Sequence, residues 1–97
     1  MDEKILRNYA IKAGKKITND LNENAVKIEW IEVEPSEVKV KGIYRQPFSN
    51  KWELHFNDKS ENSVSSWVIN YEPKTNLSDE EHIEEILSLL WEQQSFR

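Results

Sequence analysis

Between residues 3 and 21 the apolar side chains fall at Leu6, Tyr9, Ala10, Ala13, Ile17 and Leu21, mostly in steps of three and four. That spacing lines one face of an amphipathic helix. The opposite face carries Lys4, Arg7, Asn8, Lys12, Lys15 and Lys16. Gly14 weakens the run by about 1 kcal/mol relative to alanine. Asn22-Glu23-Asn24 reads as the stop, so a basic amphipathic helix is predicted over 1–24.

The period then changes to two. Val26, Ile28 and Trp30 alternate with Lys27 and Glu29, the signature of a half-buried strand. The phase slips at Ile31 and Val33, which calls for a β-bulge or for partial cover on both faces. Pro35-Ser36 marks a turn. A second strand places Val38, Val40 and Tyr44 on one face with Gly42 in phase, and Arg45–Asn50 forms a loop. A third strand has Trp52, Leu54 and Phe56 on one side and Glu53, His55 and Asn57 on the other. The polar run 57–63 is a hairpin-type loop. A fourth strand over about 64–71 aligns Trp67, Ile69 and Tyr71.

After a connector at 72–77 comes the sharpest start signal in the chain. Ser78-Asp-Glu-Glu81 is a capping box, in which serine and glutamate each satisfy the other's backbone amide. Ile83, Ile86, Leu87, Leu90 and Trp91 follow at helical spacing, with Glu81, Glu84, Glu85, Ser88 and Glu92 opposite. This is an acidic amphipathic helix over 78–94, with a fraying tail from Gln93 to Arg97. The predicted fold is α+β: an N-terminal helix, a four-stranded antiparallel meander over 25–72, and a C-terminal helix packed on the same side of the sheet. Residues 1–97 make one small domain, since domains usually run to about 100–150 residues.

Composition narrows the chemistry. The chain has no cysteine, which removes disulfides, thiol nucleophiles and cysteine-type metal sites. No apolar run reaches the roughly 18–20 residues of a membrane span, and no signal-peptide stretch opens the sequence. A cytoplasmic protein with no membrane partner is expected. The abundance of Lys, Asn and Ile over Ala, Gly, Pro and Arg points to an AT-rich genome, such as a low-GC bacterium or one of its phages. Only Gly14 and Gly42 are present, too few for a phosphate-cradling glycine loop. Ser63, Ser65 and Ser66 lack a strand-to-helix elbow. Glu53 and His55 share a strand face and form the best metal or hydrolytic pair, though a solvated strand face explains them as well. His82 reads as a surface residue among acids. No enzyme activity, cofactor or metal is expected.

Charge is more telling. The net charge is −5, but residues 1–50 hold nine basic and eight acidic groups, against four and ten in 51–97. The last helix has six carboxylates and no lysine or arginine between Ser78 and Gln94. Helices that need only solubility usually mix both signs. A one-sign face makes a field that steers toward basic surfaces. The expected function is therefore a non-enzymatic protein-interaction module, a small acidic inhibitor, immunity or phage anti-defence type of protein that docks on a basic partner. Its docking residues are Glu81, Glu84, Glu85 and Glu92, with Trp91 as an apolar anchor. The alternative is a nucleic-acid accessory protein using Lys12, Lys15 and Lys16 on phosphates. Phe48 and Phe96 have no evident core to join, and a homodimer through a strand edge or the aromatic helix is compatible with either reading.

Overall fold

A computed structural model describes residues 1–26, 38–58 and 65–95, with side chains for 1–20, 38–57 and 66–93. The elements run α1 (Glu3–Val26), β1 (Val38–Arg45), β2 (Trp52–Asp58), β3 (Ser65–Tyr71) and α2 (Asp79–Ser95). The strands pair antiparallel in the order β1-β2-β3.

The fold class is the predicted one, with three strands among the described residues rather than four. Val26, assigned to the first predicted strand, ends α1 instead. The rest of that strand falls at 27–37, outside the described residues. The helix runs past Asn22-Glu23-Asn24 because none of these is glycine or proline, and each costs no more than about 0.7 kcal/mol in a helix.

Sheet alternation sets the core. Trp52, Leu54 and Phe56 of β2 stand opposite Tyr71, Ile69 and Trp67 of β3, and all six are buried. They share one cluster with Leu6, Ala10, Ala13 and Ile17 of α1 and Ile83, Ile86, Leu87 and Leu90 of α2. Both helices therefore cover the same face of the sheet. Full burial of a Leu or Phe contributes about 1.5–3 kcal/mol, and Leu54 and Phe56 are wholly enclosed.

Gly14 has a reason beyond propensity. A Cβ there would lie 2.9 Å from the Val38 carbonyl oxygen, so glycine lets β1 approach the helix. Thr18 completes the joint. Its hydroxyl donates to the Gly14 carbonyl at 2.8 Å and accepts the Val38 amide at 2.9 Å.

In β1 the register shifts between Val40 and Gly42. This bulge reverses the phase, so Ile43 is buried and Tyr44 is 57 % exposed. The expectation that Tyr44 faces the core is thus corrected. Its ring folds back over Gly42, where a Cβ would come within 2.8 Å of the Tyr44 hydroxyl. In the loop that follows, Phe48 has φ 59° and a fully exposed ring.

Candidate functional site

The capping box forms as the sequence requires. The Ser78 amide donates to Glu81 Oε1 and the Glu81 amide to Ser78 Oγ, each at 3.2 Å. This cap fixes where α2 starts, and so which of its side chains face the core.

One of those is His82, which is 3 % exposed rather than at the surface. It lies four residues before Ile86, in phase with the buried stripe. Tyr9 and Tyr71 also occupy core phases of their own elements, and the three rings meet. His82 stacks on Tyr9 with centroids 5.2 Å apart and lies edge-on to Tyr71 at 6.2 Å. Both hydroxyls and Nδ1 of His82 have partners. The Tyr71 hydroxyl donates to Glu85 Oε2 at 2.9 Å, Lys74 Nζ donates to Glu85 Oε1 at 3.1 Å, and the Tyr9 hydroxyl donates to Asp79 at 2.5 Å. Tyr71 has a single proton, and Glu85 takes it. The 2.7 Å contact between Tyr71 and His82 Nδ1 therefore needs the proton on Nδ1, donated into the phenol oxygen.

The titrations follow from these contacts. Burial, then the bond to Glu85, pushes the Tyr71 hydroxyl well above its ordinary value. Tyr9 is raised, chiefly by its bond to Asp79. Burial pushes the Glu85 carboxyl up, but the bonds from Lys74 and Tyr71 outweigh it and hold the group below its usual range. A shallow hollow of about 290 Å³ between Met1, Ile5, Asn50, Pro73 and Thr75 reaches His82 from outside.

The predicted docking residues are used unequally. Glu81 is exposed but takes part in the cap. Glu84 meets Lys16 of α1 at 2.8 Å, with both side chains about half exposed, a pair worth at most about 1 kcal/mol. Glu85 belongs to the inner network. Glu92 is exposed, and Trp91 is half-buried against the core cluster. The missing positive charges come from elsewhere in the chain, Lys16 of α1 and Lys74 of the connector before α2, over separations of 68 and 11 residues.

The lysines of α1 also part company. Lys12 is exposed, Lys16 turns to α2, and Lys15 lines a groove on the β1 side. That groove encloses about 480 Å³ between Arg7, Ile11, Lys15 and Thr18 of the helix and Val38, Lys39 and Val40 of the strand. Sequence reading treated these two stretches separately. The signal available to it was that Arg7, Ile11 and Lys15 recur every fourth residue.

On the open face of the sheet, His55 Nε2 lies 3.1 Å from Glu53 Oε1, and the Tyr44 ring stands edge-on to His55 at 4.9 Å. Among the described residues no group of three or more His, Asp or Glu side chains gathers to hold a metal ion. Among them, too, no helix is long and apolar enough to cross a membrane. Compared with protein-family models, curated proteins and solved structures, the chain matches none.

Proposed function

We propose that the protein is a non-enzymatic interaction module that docks on a basic surface of a macromolecular partner in the cytoplasm, as a small acidic inhibitor, immunity or phage anti-defence protein does. One observation carries the reading: Glu81, Glu84, Ser88 and Glu92 form an exposed stripe along α2, about 16 Å long at 1.5 Å per residue. The helix has no lysine or arginine of its own. Among the described residues Lys16 screens the stripe at Glu84, and Trp91 beside it supplies an apolar edge. Such an array attracts a basic surface before contact and fixes register on it.

The test is affinity capture from nuclease-treated host lysate at about 0.15 M salt, with the native protein and a Glu84→Lys/Glu92→Lys variant. Both positions are exposed and the Lys16–Glu84 pair that is lost is worth at most about 1 kcal/mol, so the variant is expected to fold, as circular dichroism checks. Glu85 is left alone because reversing it would break the inner network. The expected result is a protein partner retained by the native chain and lost by the variant. Equal capture by both, or recovery of nucleic acid alone from untreated lysate, contradicts the proposal. The second outcome returns the role to Lys12, Lys15 and Lys16.

A further inference from the structure

We propose that the hollow at the start of α2 binds a small phenolic compound, whose hydroxyl donates to Nε2 of His82. This goes beyond the acidic stripe of α2: it is a separate pocket for a small molecule, built on the ring cluster.

The ring cluster presents one nitrogen to the hollow. The Tyr71 hydroxyl gives its proton to Glu85, so His82 carries its own proton on Nδ1 and donates it to Tyr71. In the neutral ring Nε2 is then an acceptor. Among the described residues no protein group bonds it, and the fully enclosed side-chain atoms without a partner are the indole nitrogens of Trp52 and Trp67. Nε2 is therefore reached from outside, and the hollow is where this 3 % exposed histidine meets the outside. The whole lining falls within the described residues. It sits where Trp52 pairs with Tyr71 and where both helices begin, at the other end of the sheet from Val38 and Asp58.

The lining selects the ligand. Ile5, Pro73 and the Tyr9 ring are apolar walls, and Asn50 braces Pro73 by donating to its carbonyl at 3.2 Å. About 290 Å³ is room for a single ring, since a cavity of about 150 Å³ takes up benzene. The donor that Nε2 requires excludes a carboxylate, which at neutral pH only accepts. Lys74, which lines the same hollow and gives one of its donors to Glu85, repels an ammonium. A phenol meets both conditions. With an ordinary value of about 10 it keeps its proton at neutral pH and is a stronger donor than an alcohol. Lys74 favours the negative charge that gathers on its oxygen.

The probe is p-cresol, titrated against the full isotope-labelled chain and followed through the ring nitrogens of His82 by NMR, with His55 on the open sheet face as internal control. In the free protein Nδ1 should carry the proton and Nε2 should not. p-Cresol should shift the Nε2 resonance saturably, with a half-point at about 1 mM or below, and leave His55 unchanged. The methyl ether of p-cresol, the same ring without the O–H, should bind about tenfold more weakly or not at all, a control that needs no variant. Ile5→Glu, at a wall position that is 45 % exposed, should weaken p-cresol by about tenfold. Glu84→Lys/Glu92→Lys should bind it as the native chain does, so failure here and failure of the α2 proposal are separable. A proton on Nε2 in the free protein, no saturable shift of that nitrogen, equal binding of the ether, or undiminished binding by Ile5→Glu overturns the proposal.

Discussion

Helix α1 is bounded on two sides by joints of different construction. Toward α2 and β3 the contact is closed by side chains: Tyr9 to Asp79, Lys16 to Glu84, and the ring cluster of Tyr9, His82 and Tyr71 with Glu85 behind it. Toward β1 the contact is made by a missing side chain and one hydroxyl, Gly14 and Thr18. Where two helices meet, long polar side chains can reach across and fill the seam. Where a helix meets a strand edge, the strand's own backbone must be satisfied. Thr18 does this for Val38, and among the described residues a groove of about 480 Å³ lies beside it. The same helix is thereby held by long polar side chains on one side and by close backbone approach on the other.

The comparison breaks most severely at the closed joint. Tyr71→Phe removes the hydroxyl that both His82 and Glu85 use, leaving two polar groups without that partner. The expected loss is about 2–3 kcal/mol, a fall in melting temperature of about 10–20 °C for a domain of this size. The pH profile of stability sharpens it. A raised tyrosine contributes stability that is whole below the unfolded value of about 10 and is lost as pH rises from there through the folded value. Glu85, held low, contributes above about pH 4.3, and its share is lost as pH falls through its folded value. In Tyr71→Phe the alkaline limb should flatten, as chemical denaturation at stepped pH can measure. An unchanged limb would mean that Tyr71 is not the group responsible.

The open joint should break more gently and in a counterintuitive direction. Gly14→Ala raises helix propensity by about 1 kcal/mol, yet its new Cβ meets backbone rather than a yielding side chain. Overpacking of this kind costs about 1–3 kcal/mol, so a net loss of about 1 kcal/mol is expected by thermal or urea unfolding. A stabilised variant would show that β1 does not lie that close to the helix.

How far these features could be read from the chain depended on whether the pattern was local. The alternation in β2 and β3, the stripe of α2 and its capping box are local, and each stands in the structure at the expected residues. Tyr44 escaped because a bulge shifts phase without any break in composition. His82 escaped because a charged neighbourhood masked its position in the buried stripe, four residues from Ile86. The acidic face of α2 was legible as composition. Its partial neutralisation was not, because Lys16 reaches Glu84 across 68 residues. For the same reason the groove was invisible: Arg7, Ile11 and Lys15 gain meaning only once Val38 and Val40 lie beside them.

The most direct measurement of the contrast between the two joints is backbone amide exchange by NMR, comparing Val38 in the native protein and in Thr18→Val. The Val38 amide, bonded to Thr18, should be protected in the native chain and exchange markedly faster in the variant, while the core amides of α2 keep their protection. A Val38 amide that exchanges freely in the native chain, or one that the variant leaves unchanged, would contradict a joint closed by a single hydroxyl.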